Sequence, residues 1–174
     1  MITISRKYYY LYFGLLAGLV FILYNQLNVT ILKNAGGISS IIGMMAHFLI
    51  LLYSVRYFVK HFSDGYFTFG MAYKKCQLIS LIGALLNGTY VYIAYSLKPG
   101  LLADMKVLAE ESYLNSGMSE DQVDLLSQMF ELYLTPFAVA LSSFLLITIG
   151  SLLLGLIVSS MVKREQNPLE KPGE

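Results

Sequence analysis

The sequence predicts an all-α integral membrane protein, a four-helix bundle with an amphipathic helical hairpin between the third and fourth membrane-spanning helices. Composition is the first reason: 56% of the residues are hydrophobic and 13% are charged, against about a quarter charged in soluble domains. The second reason is a set of four apolar runs, each at least about 17 residues long and so near or above the length that crosses a bilayer. The third is the polar interval 98–135, which separates the third run from the fourth.

The apolar runs define the expected spans. Arg6 and Lys7 give the first run the basic start of a signal peptide, but no small-residue cleavage site follows it closely, so we expect a retained helix. Residues 25–37 are expected to form an outer loop and residues 165–174 a disordered cytoplasmic tail. The hairpin and the spans are expected to form one domain over residues 1–164, with spans at 8–24, 38–58, 76–97 and 136–162.

The polar interval predicts two amphipathic helices between residues 101 and 135, since apolar residues recur at helical spacing on both sides of a polar break. Gly117 is predicted to cap the first helix in a left-handed conformation. Ser119 and Gln122 are predicted to start the second helix as a capping box. Two helices this short cannot build a core of their own, so we expect the hairpin to lie on the membrane surface.

The hairpin region is acidic. Its charged residues are seven acids and two bases: Asp104, Glu110, Glu111, Glu120, Asp121, Asp124, Glu131, Lys98 and Lys106. A solvated helix face is the expected role of the acids, and binding of divalent cations or of a basic partner are the alternatives. An EF-hand is not indicated, because the acids lack its alternating ligand spacing and its loop glycine.

The lysine and arginine counts predict the orientation. With the N-terminus inside, nine basic residues lie on the inner side and three on the outer side, which is a positive-inside bias. The inner ones are Arg6, Lys7, Arg56, Lys60, Lys74, Lys75, Lys163, Arg164 and Lys171, and the outer ones are Lys33, Lys98 and Lys106. Both termini are therefore expected in the cytoplasm, and residues 98–135 outside.

The inner loop between the second and third runs carries a glycine- and aromatic-rich motif, Asp64-Gly65-Tyr66-Phe67-Thr68-Phe69-Gly70-Met71-Ala72-Tyr73. With the hairpin turn 116–120 and the proline-started last run, this motif resembles an uncharacterised bacterial family of small four-helix inner-membrane proteins, a domain of unknown function. The resemblance implies the fold and a location in the bacterial inner (plasma) membrane, but no activity or ligand. Cys76 stands where that family usually has a small residue, so no role for the thiol is implied.

Residues 64–75 admit two interpretations. In the first, the aromatic residues and the nearby lysines form an interfacial segment that touches anionic lipid headgroups. In the second, the segment is a turn followed by the first turns of the next helix. Gly70 is expected to permit close backbone approach.

Small residues recur four apart in every apolar run, and such stripes allow helices to pack closely in lipid, where the hydrophobic effect does not drive them together. They favour a packed bundle over four independent anchors. The stripes are Gly14/Gly18, Ser39/Gly43, Ser80/Ala84/Gly88 and Ser151/Gly155/Ser159.

His47 and Asn87 are polar residues near the middle of the second and third runs. Each lies 20 positions from Phe67, so an antiparallel hairpin centred there places both at one depth. We predict a direct or water-mediated hydrogen bond between them that packs the two helices. A proton relay or ligand site is the alternative, and a metal site is disfavoured because no acid or cysteine lies at this depth.

The residues point to no catalytic centre, no metal site and no cofactor. One cysteine excludes an intramolecular disulfide framework, and a net charge of +1 gives no reason to expect nucleic acid. The leading hypothesis is a structural or accessory protein of the lipid bilayer, not an enzyme, whose hairpin docks a membrane-protein partner or a second copy. A small oligomeric channel or transporter is the second hypothesis, and a membrane enzyme is the third.

Overall fold

The computed structural model describes residues 5–30, 37–63 and 66–163, and within them the chain forms six α-helices. Four helices are long, and each contains an apolar stretch long enough to cross a membrane. These are α1 (Tyr9–Thr30), α2 (Gly37–Phe62), α3 (Phe69–Leu97) and α6 (Pro136–Val162), while α4 (Gly100–Asn115) and α5 (Glu120–Tyr133) are short. The predicted all-α class with four apolar spanning helices is confirmed.

Three helices are longer than the predicted spans: α2 continues four residues beyond the predicted residue 58, to Phe62, and two other boundaries differ more. α1 continues to Thr30, so Asn25 lies within the helix and not in the outer loop. α3 begins at Phe69, because Thr68 caps it: the Thr68 hydroxyl accepts a hydrogen bond from the Met71 N–H at 3.2 Å. Residues 69–75 are thus the first turns of α3, which is the second of the two interpretations. The predicted disordered tail lies outside the described residues.

α6 begins where the proline predicts. The Thr135 hydroxyl accepts a hydrogen bond from the Ala138 N–H at 3.2 Å, which makes Thr135 the N-cap. Pro136 then occupies the first helical position, where its missing N–H removes no intrahelical bond.

The chain divides into two compact units, of which the first comprises Met1–Asn87 and Leu145–Glu174. Its helices alternate in direction, as their side-chain contacts show. The N-terminal ends of α1 and α3 lie beside the C-terminal ends of α2 and α6. The pairs that establish this are Tyr9–Ser54 for α1 and α2, Lys75–Tyr10 for α3 and α1, and Gln77–Ser151 for α3 and α6.

This alternation gathers cations at one end of the first unit, which we call the basic end. Seven of the nine lysines and arginines in the described ranges lie there: Arg6, Lys7, Arg56, Lys60, Lys74, Lys75 and Lys163. The other two, Lys98 and Lys106, follow α3 in the sequence and belong to the second unit.

α1 and α3 approach each other most closely at glycines. A Cβ atom placed on Gly83 would lie 3.1 Å from the Ala17 Cβ, 3.2 Å from the Gly18 nitrogen and 3.3 Å from the Gly14 carbonyl oxygen. A Cβ on Gly14 would lie 2.6 Å from the Ile82 Cβ. These distances leave no room for a side chain, so glycine permits contact between the two backbones. Gly14 and Gly18 belong to a predicted stripe, whereas Gly83 does not.

The second unit comprises Gly88–Phe144 and contains the α4–α5 hairpin. Tyr113 of α4 and Phe130 of α5 stack with ring centroids 6.2 Å apart and ring planes 19° apart. Val123 is the one buried residue among the described side chains of these two helices. The hairpin is thus held by few contacts of its own. The prediction of a single domain over residues 1–164 stays a prediction.

Candidate functional site

His47 lies where α1, α2 and α3 meet in the first unit. Its Nε2 is 2.9 Å from the Ser80 Oγ of α3, and either atom can donate, depending on the tautomer. Phe21 of α1 contacts the imidazole edge to face, with ring centroids 4.8 Å apart. Only 4% of His47 is exposed. The imidazole therefore has a polar partner on a neighbouring helix, as a polar group inside a membrane bundle requires.

Asn87 bonds to a different helix. Its Oδ1 accepts a hydrogen bond from the Asn25 Nδ2 at 2.7 Å, and this contact joins α3 to α1. The structure does not bring His47 and Asn87 together, contrary to the prediction. Ser80 precedes Asn87 by seven residues, which is about 10 Å along a helix.

The inner loop explains part of the reason why His47 contacts Ser80 and not Asn87. The prediction placed the helix ends symmetrically about Phe67. In the structure α2 ends at Phe62, five residues before it, while α3 begins at Phe69, two residues after it. His47 lies 15 residues before the end of α2, while Asn87 lies 18 residues after the start of α3. The early start of α3 therefore accounts for about three of the seven residues between Ser80 and Asn87.

Gln77 joins α3 to α6 with two hydrogen bonds. Its Nε2 donates to the Ser151 carbonyl at 3.0 Å, and the Ser151 Oγ donates to the Gln77 Oε1 at 3.1 Å. Ser151 belongs to a predicted small-residue stripe, whereas no role was predicted for Gln77. The sequence does contain a sign of this role. Gln77 is an amide in an apolar run, and it lies three residues before Ser80, on the same helix face.

Lys75 lies among aromatic rings at the basic end. Its Nζ donates to the Tyr10 hydroxyl at 2.9 Å and lies 3.4 Å from the centroid of the Phe58 ring. The neighbouring Tyr9 is fully buried and donates its hydroxyl hydrogen to the Ser54 carbonyl at 2.8 Å. The lysine thus has cation–π and hydrogen-bond partners, which stabilise a charge that is half removed from water.

Two aromatic residues of the inner-loop motif have different roles. Phe67 is 1% exposed and packs against Phe58 of α2, with ring centroids 5.9 Å apart. Phe69 is exposed and stacks on Tyr73 one turn later, with the ring planes 8° apart. Phe67 therefore anchors the loop to the core, while Phe69 lies on the surface of α3.

Gly70 of the motif does not lie at a close approach of two backbones, contrary to the expectation. A Cβ atom on Gly70 would have no atom within 4 Å, so this position does not serve close backbone approach. Its place in the first turn of α3 leaves it facing away from the neighbouring helices. Asp64 and Gly65 lie outside the described residues.

The hairpin turn begins at a left-handed glycine. Gly117 has a φ angle of +89°, and its N–H donates to the Leu114 carbonyl at 3.0 Å. The Met118 N–H donates to the Tyr113 carbonyl at 3.3 Å. These two bonds form a Schellman motif, which satisfies carbonyls that the end of α4 would otherwise leave without partners.

α5 begins immediately after this turn. The Ser119 N–H donates to the Gln122 Oε1 at 3.2 Å, which is the backward bond of a capping box. Glu120 and Asp121 occupy the first turn of α5, where the positive end of the helix dipole stabilises acids.

The surface of the hairpin mixes charge with exposed apolar groups. Lys106 and Glu110 form an ion pair on α4 at 3.9 Å. The exposed apolar side chains are Met105, Val107, Leu108, Leu114, Met118, Leu125, Met129 and Tyr133. This is more apolar surface than a hairpin of two short helices covers by itself, so α4 and α5 offer a contact surface.

The described residues place no three His, Cys, Asp or Glu side chains close enough to hold a metal ion. His47 has its partner in Ser80, and Cys76 is buried and free of a disulfide bond.

Comparison with known proteins assigns a family. The family model that matches is described as a protein of unknown function (DUF4199), and the match covers residues 11–164. No curated protein and no solved structure matches the chain. The matched range contains α2 to α6 completely, nearly all of α1, the inner-loop motif and the hairpin turn. The chain belongs to the DUF4199 family of proteins of unknown function.

Proposed function

We propose that this protein is a multi-pass protein of the bacterial inner membrane with a structural or accessory role, not an enzyme, and that its α4–α5 hairpin docks another membrane protein or a second copy. The observation that carries the proposal is the exposed apolar surface of the hairpin. Leu108, Leu125 and Tyr133 are 52%, 63% and 70% exposed, although they lie outside the four candidate spans. Apolar groups exposed in this way mark interaction sites.

The charge of the hairpin region indicates the chemistry of the partner. Residues 98–135 carry seven acids and two bases. Anionic lipid headgroups repel such a surface, whereas a basic protein surface attracts it. A partner with a basic face at the membrane boundary fits both the acids and the apolar side chains.

The interior of the first unit supports a scaffold role. No buried side-chain nitrogen or oxygen in the described ranges lacks a hydrogen-bond partner. Polar groups that line a transport path have to exchange partners with a solute or with water. Here His47, Gln77 and Asn87 make hydrogen bonds to neighbouring helices.

An oligomeric channel or transporter is the second candidate. The polar side chains of α3 favour it, because Gln77, Ser80 and Asn87 are costly in lipid and such groups often mark solute pathways. Ion or solute flux through the purified protein in liposomes tests this candidate. Flux that His47→Leu or Asn87→Leu abolishes would replace the scaffold role with transport.

The basic end supports the proposed orientation. Cations concentrate on the cytoplasmic side of inner-membrane proteins. We therefore assign the N- and C-termini to the cytoplasm and residues 98–135 to the periplasmic side. A reporter active only in the cytoplasm should work when fused after Glu174, and one active only outside should work when inserted at Gly117. Reversal of both activities would contradict the orientation.

Site-specific photo-crosslinking in intact cells tests the docking role. A crosslinking residue in place of Leu125 should give an adduct of discrete mass, equal to the protein plus a partner or to twice its own mass. The matched control is Leu146 of α6, which is 71% exposed within a candidate span and should give lipid adducts only. High salt should lower the yield at Leu125 if the partner is basic, because salt screens exposed charges.

Two crosslinking results at Leu125 and Leu146 would contradict the docking role. Lipid adducts alone at Leu125 would mean that the hairpin lies on the membrane, as expected from the sequence, with no protein partner on this face. Equal protein adducts at Leu125 and Leu146 would mean contact along the whole protein, not docking through the hairpin.

A further inference from the structure

A cavity opens at the basic end of the first unit, where α2 and α6 both finish. It has a volume of about 660 Å³. This lies within the usual range of small-molecule sites, roughly 300–1,000 Å³. Arg56 and Lys60 of α2 line the cavity together with Ser63, which follows α2. Val162, the last residue of α6, and Lys163, which follows it, also line the cavity.

The charge of the lining that concerns an anion comes from Arg56 and Lys60. They are one turn apart on α2, and neither makes an ion pair with a described residue. Lys163 also lines the cavity but has an interaction of its own, and the described lining residues include no acid. Two long cations on one helix face form a site for an anion.

The helix dipole explains only part of this arrangement. The C-terminal ends of α2 and α6 attract cations, which accounts for Lys60 and Lys163 near those ends. Arg56 lies six residues before the end of α2, and the dipole effect fades within the last turn. Arg56 also lies inside the candidate span Ile41–Phe62, where a charge without a counter-charge is costly. A bound anion reduces that cost.

The surroundings indicate what kind of anion fits. A guanidinium binds phosphate oxygens through two parallel N–H donors, and an ammonium one turn away adds a point charge. The Ser63 hydroxyl donates to the Tyr66 carbonyl at 2.8 Å, so the hydrogen-bond donors to the anion come from Arg56 and Lys60. Val59 and Val162 give the cavity apolar walls. A group with a phosphate head and an apolar body matches this lining.

We propose that the cavity binds the phosphate of an anionic phospholipid headgroup through Arg56 and Lys60. The site lies at the ends of two membrane-spanning helices, at the level of the headgroups, where such lipids are abundant. Basic pockets between spanning helices are a known mode of headgroup binding. The assignment requires membrane insertion of the four helices but is independent of the hairpin and of its partner.

The test uses the full-length protein in mild detergent. Phosphatidylglycerol and phosphatidylcholine are added in turn, with lipid retention measured by native mass spectrometry and stability by thermal unfolding. Phosphatidylglycerol should bind and raise the Tm, and phosphatidylcholine should do neither. Arg56→Gln with Lys60→Gln should weaken phosphatidylglycerol binding about tenfold or more, since each such charge adds a comparable share of headgroup affinity.

The matched control is Lys7→Gln with Lys74→Gln. It removes two exposed cations from the same end of the protein, and neither residue lines the cavity. Its binding should change less than about twofold. An equal loss in both double variants would mean that general surface charge attracts the lipid, and the cavity site would be wrong.

Two further measurements, thermal unfolding with inorganic phosphate and lipid crosslinking at Val59, test the lipid assignment. Inorganic phosphate that raises the Tm as much as phosphatidylglycerol would assign the site to a soluble anion and overturn the lipid assignment. A photo-crosslinking residue at Val59, with both cations left in place, should label phosphatidylglycerol in mixed vesicles in preference to phosphatidylcholine. Equal labelling of both lipids would overturn the proposal even if the charge variants failed to fold.

Discussion

The interior of the first unit and the α4–α5 hairpin use polar and apolar side chains in opposite ways. In the first unit, polar groups are buried and bonded across helices, as His47 is to Ser80 at 2.9 Å. Apolar side chains point outward there, and at most 33% of the residues in each apolar window are buried. In the hairpin no charged group among the described side chains is buried, Val123 is the one buried residue among them, and large apolar groups are exposed there.

The difference reflects what surrounds each region. Lipid solvates apolar surface, so spanning helices associate through close backbone contact and interhelical hydrogen bonds. A pair of short helices near water has to cover its apolar face with something else. The first unit has its polar partners inside the chain, and we propose that the hairpin finds its partner outside it. Each of the following predictions tests one side of this comparison, in order of decreasing expected effect.

Filling the α1–α3 contact should have the largest effect. Gly83→Leu places a side chain where Ala17, Gly18 and Gly14 leave no space, because the nearest atoms include backbone nitrogen and oxygen. Overpacking of this kind should lower the free energy of unfolding by about 3 kcal/mol. Denaturation in mixed detergent measures it. The control is Gly150→Leu, since a Cβ there meets no atom within 4 Å. Equal losses would mean that the glycine contact does not hold α1 to α3.

Disturbing the hairpin turn should have a smaller and more local effect. Gly117→Ala forces a side chain into a φ of +89°, which should cost about 1–2 kcal/mol. Amides of α4 and α5 should then exchange hydrogen about tenfold faster, while those of α1 to α3 stay protected. Gly100→Ala, a position with open space and no positive φ, serves as the control. Faster exchange throughout the protein would show that the hairpin and the bundle do not open separately.

The polar pairing inside the first unit should give a measurable coupling. A double-mutant cycle of His47→Leu and Ser80→Ala should show about 1 kcal/mol of interaction, a typical value for such bonds in membrane proteins. The effects of His47→Leu and Asn87→Leu should add within about 0.5 kcal/mol, because their partners, Ser80 and Asn25, lie on different helices. Coupling of His47 to Asn87 instead of Ser80 would restore the pairing that the sequence suggested.

The smallest effect is a change in accessibility with no loss of stability. Spin labels at Leu108 and Leu126 should be shielded from water-soluble relaxation agents in the membrane, while labels at Glu111 and Asp124 should be accessible. The apolar positions become shielded because lipid or a protein covers them. Equal access at all four positions would mean that nothing covers the apolar face of the hairpin.

Much of the architecture was predictable because it depends on local chemistry. The four spans follow from length and hydropathy, since a segment in lipid has to satisfy its backbone hydrogen bonds within itself. The turn at Gly117 follows from a short sequence of turn residues with few alternative geometries. The start of α3 was missed because the Thr68 cap lies in a loop whose aromatic residues are also typical of an interfacial segment.

The sequence by itself determined that this chain has four apolar helices, an acidic hairpin and a strong bias of cations to one side. Only the tertiary structure decided that His47 forms a hydrogen bond with Ser80, that Gln77 bonds to Ser151, and that Arg56 lines a cavity. The physical reason is rotation and register. A shift of one residue turns a helical side chain by about 100°, so pairing depends on where each helix begins and how closely its neighbours pack.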